Sequence, residues 1–466
     1  MDHARLAQVA RAAGLVFVAT TTAASCRLGE SLDSFTNGEG GAATGGVGGS
    51  GAAGTGGFAG DAGGIGGSAG DAATPDGSGG DSQVGGGGTG GTGGTGTGGT
   101  QDAGDAASDA PTSPCASGDC SGSCRDCNSD QLCETDTNTD KNNCGACGHS
   151  CQGGDCQGGI CQTLELASNL DMPWGIVADE AKVYWVAEGS PNGGTVASVS
   201  VTGGSSSPLA TGQSAPVYLV ADAQYLYWTT FANGGAIWRI NKDGTGENKL
   251  TLATGPQGLA ADDTDIWWTN NGDGSIKHIL KMGNSPQTAL SGLTDPRGIA
   301  VDPDAAGKVY WTSLSGGEIH SANKDGTGAT TLAANEDHPI AIAVDTNFVY
   351  WLDAGTYSLG DCSAANGKLV RATKADGSGR TEFATGQACP LALWLDLGGV
   401  YWTNTGTVAG TTYNYDGSVM YLMTGGSPQV FEAGQVRPYG ITTNSNSVFW
   451  SEQGFGSSGA IKKRAK

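Results

Sequence analysis

The chain is poor in several things, and each shortage removes a class of function. Basic residues are scarce: 23 Lys and Arg stand against 46 Asp and Glu, a formal charge of −23. A polyanion would approach against that field and would find no basic stripe, which excludes nucleic acid as a partner class. No run reaches 18 consecutive apolar residues, so the sequence offers no membrane-spanning helix. Histidine occurs five times in 466 residues. Nucleophile-elbow, P-loop and zinc-hydrolase signatures are all missing. What is abundant instead is glycine, 83 residues, concentrated between about Asn37 and Pro111.

The N-terminus reads as an export signal: Arg5 and Arg11, the apolar run "GLVFVATTTAA", then "AASC" ending at Cys26. The small residues Ala23, Ala24 and Ser25 before Cys26 resemble a bacterial lipobox, with Ala23 where Leu is usual. That resemblance implies lipidation of Cys26, and Arg27 after it implies an outer-membrane or cell-surface lipoprotein of a Gram-negative bacterium. Cleavage without lipidation would give a secreted protein. The stretch 27–111 has almost no large apolar side chains to offset the entropy lost on ordering. We expect a disordered tether with a reach of roughly 45–50 Å.

Ten of the 13 cysteines fall between Cys115 and Cys161. One subset, Cys124 and Cys127 with Cys144 and Cys147, has the C-x2-C-x16-C-x2-C spacing of a zinc site. Six further cysteines and an exported chain favour disulfides instead, so a disulfide-rich module is expected over 112–161. "DTNTD" (Asp136, Asn138, Asp140) alternates oxygen ligands as calcium loops do. It lacks the following glycine and the closing carboxylate, and reads as a solvated turn. "NNCGACGHSC" and "GGDCQGGIC" resemble short cysteine-rich repeats of exported bacterial proteins, which implies a spacer.

From Gln162 onward the chain repeats itself. "VYWVA", "LYWTT", "IWWTN", "VYWTS", "VYWLD", "VYWTN" and "VFWSE" place Trp185, Trp228, Trp268, Trp311, Trp351, Trp402 and Trp450 at near-regular intervals. Each is preceded by a proline-led strand, such as "PWGIVAD" or "PRGIAVD". Each is followed by a glycine-led strand, often with an Asp-Gly turn, and then by a short fourth strand. Four antiparallel strands per repeat describe an all-β fold, a β-propeller over 162–466 with seven blades, six being the alternative. The last repeat lacks its fourth strand, and "LASNLDMP" at 166–173 supplies it, so the N-terminal strand should close the ring. The repeated aromatics fill the space between blades, and the Asp ending each first strand (Asp179, Asp222, Asp262, Asp302, Asp345, Asp396) reads as a turn former.

These repeats resemble the YWTD repeats of LDL-receptor-type propellers and, more loosely, NHL-type and TolB-like propellers. The final Asp of that motif survives only at Asp353. The resemblance covers about 300 residues and implies the propeller fold.

Strand order puts the connections into each proline strand on one face, together with the long insertions of the fifth and sixth repeats. Cys362 and Cys389 lie on that face and can pair. The residues after the prolines include Trp174, Gln257, Arg297 and Tyr439, types that dominate recognition surfaces. His338, beside Glu336 and Asp337, shares the face and is the single acid–base candidate. The reading is a non-enzymatic binding module for a protein or glycan at the cell envelope, without cofactor or catalytic metal. The alternative is an enzyme resembling streptogramin B lyases, seven-bladed propellers with a metal and paired His and Glu near the channel.

Overall fold

The computed structural model describes residues 115, 121–129, 133, 135–189, 193–231, 234–303, 306–358, 361–409, 412–454 and 457–466. The export signal, Cys26 and the glycine-rich tether lie outside the described residues.

Seven prolines each open a strand, where proline forfeits no interior ladder hydrogen bond. The aromatic strand returns antiparallel to it, and the glycine-led and outer strands follow. Blade 1 comprises Pro173–Ala178, Lys182–Ala187, Gly194–Ser200 and Ser207–Gln213; blade 2, Pro216–Ala221, Tyr225–Thr230, Ala236–Asn241 and Asn248–Leu252. Blade 3 comprises Pro256–Ala261, Asp265–Asn270, Ser275–Leu280 and Gln287–Leu290; blade 4, Pro296–Val301, Lys308–Ser313, Glu318–Asn323 and Thr330–Ala334. Blade 5 comprises Pro339–Val344, Phe348–Asp353, Gly367–Thr373 and Thr381–Gln387; blade 6, Pro390–Asp396, Gly399–Asn404, Gly417–Met423 and Gln429–Gln435. Blade 7 comprises Pro438–Thr443, Ser447–Glu452, Gly459–Ala465 and, as its outer strand, Leu164–Leu170. The propeller therefore has seven blades, and Leu170 pairs with Gly459 and Ala167 with Ile461 to close it. No α-helix occurs among the described residues.

Register explains the recurring Trp. In every blade it faces an aliphatic residue of the first strand, as in Ile176↔Trp185, Leu259↔Trp268 and Ile441↔Trp450. All seven motif Trp side chains are buried. Close approach of neighbouring first strands accounts for the glycine two residues after several prolines: a Cβ on Gly258 would lie 2.5 Å from the Arg297 carbonyl oxygen.

The Tyr of the motif has a polar task as well. The hydroxyls of Tyr184, Tyr227, Tyr310 and Tyr350 donate to Asp179, Asp222, Asp302 and Asp345, whose carboxylates also accept backbone N–H groups of the hairpin. A lysine from the following blade reaches back to five of the six Asp residues that end first strands: Lys242 to Asp179, Lys281 to Asp222, Lys324 to Asp262, Lys374 to Asp302, and Lys466 to Asp396. Burial works against ionisation of Asp179 and Asp222, but these donors outweigh it and hold both carboxyls below the usual range. Thr424 and Val201 occupy the lysine position of blades 6 and 1, so the seams between blades 5 and 6 and between blades 7 and 1 lack this latch.

On the opposite side of four blades, a residue three before the proline accepts from the Trp indole N–H. Trp228 donates to Gln213, Trp402 to Gln387 and Trp450 to Gln435, at 3.0, 3.0 and 2.9 Å; in blade 5 the acceptor is Glu336, at 3.2 Å from Trp351. Replacing Gln435 by Ala strands the buried indole N–H. We expect a loss of about 1–3 kcal/mol, read as a lower denaturant midpoint at unchanged slope.

The cysteine-rich segment is held by Cys115–Cys124, Cys127–Cys147, Cys144–Cys156 and Cys151–Cys161 disulfides. This pairing commits all four cysteines of the zinc spacing to disulfides, Cys127 and Cys147 to each other, Cys124 to Cys115 and Cys144 to Cys156. Asp136 and Asp140 bond to the backbone and side chains of their own turn. The second half of the segment packs on the final strand of the ring. Cys144, Cys151, Cys156 and Cys161 form one buried cluster with Ala465, and His149 bridges the carbonyls of Cys144 and Lys466. Buried Lys463 donates to carbonyls of Gln152 and of Val201 in blade 1, and desolvation lowers its pKa.

Candidate functional site

Each blade is entered through a residue in the left-handed region, immediately before its proline. These are Met172, Ala215, Gly255, Asp295, His338, Cys389 and Arg437, with φ between 42° and 60°. Only one is glycine. A left-handed backbone costs other residues roughly 1–3 kcal/mol, so six side chains are held here against local preference. They ring the face that also carries the insertions of blades 5 and 6. Both insertions fold as hairpins, Tyr357–Ser358 with Asp361–Cys362 and Val408–Ala409 with Thr412–Tyr413. Cys362 is bonded to Cys389, as the strand order led us to expect, and ties the blade 5 hairpin to the left-handed residue entering blade 6.

The post-proline residues are placed less uniformly. Trp174 and Tyr439 are both 0% exposed and meet edge to face at 4.8 Å. The Trp174 indole N–H donates to Glu188, and Arg437 donates to the Tyr439 hydroxyl. Gln257 is buried and accepts from the Tyr218 hydroxyl, whose own ionisation is suppressed by complete burial. Arg297 keeps some surface, with its guanidinium paired to Asp295 at 2.8 Å; Asp295 also accepts from Asn271. Of the five residues named from sequence for this face, Arg297 and His338 present accessible polar atoms. Trp174, Tyr439 and Gln257 are buried.

His338 is 39% exposed at its side chain, bonds Asp337 through Nδ1 at 2.9 Å, and lies 6.1 Å from the Tyr357 ring. It borders an open cavity of about 240 Å³ between the Leu314–Glu318 turn of blade 4 and the Ala334–His338 connection. Glu336, named from sequence beside His338, proves to be paired beneath the cavity with Arg380 and Asp353, a grouping that sequence reasoning did not foresee. Glu336 accepts two bonds from Arg380, at 2.6 and 2.8 Å, and one from Trp351. Asp353, 1% exposed, faces it, and neither oxygen of Asp353 has a conventional donor. Burial, reinforced by the Glu336 charge, pushes Asp353 up to about 9. Burial also works on Glu336, but Arg380 and its other donors outweigh it and bring Glu336 below the usual range. The signal was legible as Glu at a position where three other repeats carry Gln.

The remaining propeller histidines are structural. His278 stacks on Trp267 at 4.3 Å and pairs with Asp265; His320 stacks on Trp311 at 5.1 Å, and burial lowers its pKa.

No known protein family matches this sequence, and no curated protein does. Solved structures do match in fold. A streptogramin B lyase aligns with a TM-score of 0.51 at 17% identity, covering 66% of this chain and 97% of its own. A virginiamycin B lyase from Staphylococcus aureus aligns at 0.51 and 19%, covering 65% and 98%. A chain of a nidogen/laminin complex aligns at 0.40 and 22%, covering 49% and 85%. At these identities the similarity is one of fold.

Proposed function

We propose that this protein is a non-enzymatic binding module of the cell envelope, exported and anchored through Cys26, that holds a protein or glycan on the face carrying the blade entries. One observation carries the reading: of six non-glycine residues kept in the left-handed conformation around one ring, Met172, Asp295, His338 and Arg437 keep surface, beside hairpins braced by a disulfide. Strain retained at a rim where glycine would relieve it points to side chains kept for contact. Arg297, His338 and Arg437 supply the accessible polar groups.

The test is capture from envelope extracts by the full-length protein, beside a triple variant with Arg297, His338 and Arg437 changed to Ala, each with and without chelator. Retention of a partner by the natural protein and its loss in the variant, indifferent to chelator, is the expected result. Equal retention by both would remove this face from the binding site.

A second reading is favoured by one observation, the acid pair at Glu336 and Asp353 beside His338. Fold neighbours include lyases, one of which is described as catalytically inactive in a His-to-Ala form. Metal-dependent turnover abolished by His338→Ala would replace the binding reading with this one.

A further inference from the structure

The repeat gives blade 5 an internal standard. In blade 6, Gln387 lies three residues before the proline and Asn404 ends the aromatic strand; the Asn404 amide donates to the Gln387 oxygen at 3.0 Å, and Trp402 donates to that same oxygen. In blade 5 the same two positions hold Glu336 and Asp353, with Trp351 donating to Glu336. Two carboxylates cannot reproduce the amide bond, because each offers acceptors alone. A carboxylic acid facing a carboxylate can. Arg380 supplies one positive charge, which balances one ionised carboxyl and not two. We propose that Glu336 and Asp353 share a single proton and act as a proton lock between blades 4 and 5, holding the Asn335–His338 connection in place and opening it as that proton is lost.

The connection has few other ties. The Glu336 N–H donates to the Gly317 carbonyl, Ala354 N–H to the His338 carbonyl, and Gly355 N–H to that of Asp337. The charged groups around the pair come from every neighbouring element. Lys368 lies in the third strand of blade 5 and Glu382 in its outer strand, bonded to each other, with Arg380 just before the outer strand; Glu318 stands at the edge of blade 4; Asp337 and His338 lie in the connection itself. Lys368 and Arg380 favour ionisation of Asp353, while burial and Glu336 oppose it more strongly.

The sign follows from proton counting. With the lock closed, Asp353 stays protonated up to about pH 9; once the connection opens and water enters, it ionises as an ordinary carboxyl. Between those limits the closed form holds one extra proton, so opening becomes about tenfold more favourable per pH unit. Above the upper limit the dependence flattens. The lock operates whatever this face binds.

Hydrogen exchange on the full-length protein tests it, with protection at each amide corrected for intrinsic exchange between about pH 6 and pH 9. Protection at Glu336, Ala354 and Gly355 should fall about tenfold per unit. The matching amides of blade 6, Thr405 and Gly406, which donate to Cys389 and Ala388, form the control and should stay level. Asp353→Asn, which installs an amide donor, should make the blade 5 amides behave like those of blade 6. The double variant Glu336→Gln with Asp353→Asn copies the blade 6 pair and serves if the single variant does not fold. Parallel slopes in both blades of the natural protein, or a slope that survives Asp353→Asn, would overturn the proposal.

Discussion

A chain that starts at Asp171, and so lacks Leu164–Leu170, is expected to lose its cooperative melt. That strand supplies the outer edge of blade 7, and its removal exposes the edge of Gly459–Ala465. Leu166 would also leave a buried cluster with Ile176, Val183, Trp185, Phe449 and Ile461, which spans blades 7 and 1. The seam between those blades has no lysine latch; on the opposite face it keeps the bonds that Asn444 and Ser445 donate to the Asp179 carbonyl and the Glu180 carboxylate. Losing one core leucine, its neighbours' packing and the strand's hydrogen bonds costs on the order of 5 kcal/mol or more, comparable to the whole stability of a typical fold. A chain starting at Gln162 keeps the strand and gives up the cysteine-rich segment that covers Ala465 and Lys463. It should melt cooperatively at a lower temperature. Calorimetry on both chains beside the natural protein decides the matter, and equal melting of the two shortened chains would show that ring closure is dispensable.

The closing strand was legible because its sequence repeats. "LASNLDMP" matches "LAANEDHP", and a match at the far end of the chain has few explanations other than closure. Blade count was legible for the same reason, since every proline strand and every aromatic strand left a copy. Facing direction followed from strand order alone, and it correctly brought Cys362 and Cys389 together. What the repeat could not convey was depth. Trp174 and Tyr439 follow their prolines as Arg297 does, yet they sink out of solvent because they meet each other across the seam between blades 7 and 1, where their rings fill the space. Contacts between remote segments were equally invisible. His149 and the Lys466 carbonyl are 317 residues apart, and nothing in the cysteine spacing shows that the segment docks on the propeller and does not stand clear as a spacer. The Gln–Trp bonds were different: their constant 15-residue spacing lay open in the sequence, and with it the exceptional Glu336.

Removing the Cys362–Cys389 disulfide by changing both residues to Ser should cost about 3–4 kcal/mol, the loop-closure value for a span of this length. Its separation of 27 residues is moderate, but its position raises its importance. The seam between blades 5 and 6 lacks the lysine that would reach Asp345, because Thr424 stands where five other blades carry Lys. The disulfide crosses the same seam on the opposite face, joining the blade 5 hairpin to the residue that enters blade 6. Both cysteines are wholly buried, with the Cys362 sulfur against the Ala354 carbonyl, so Ser at these sites also puts hydroxyls into an apolar setting. The expected result is a lower denaturant midpoint, together with faster hydrogen exchange at Thr405 and Gly406, whose acceptors Cys389 and Ala388 lie on the released segment. Adding Thr424→Lys to the double-Ser variant should recover part of the loss, since the new ammonium would meet Asp345 as Lys374 meets Asp302. If the double-Ser variant unfolds at the natural midpoint, the seam is held by side-chain packing alone, and neither the disulfide nor the missing latch governs it.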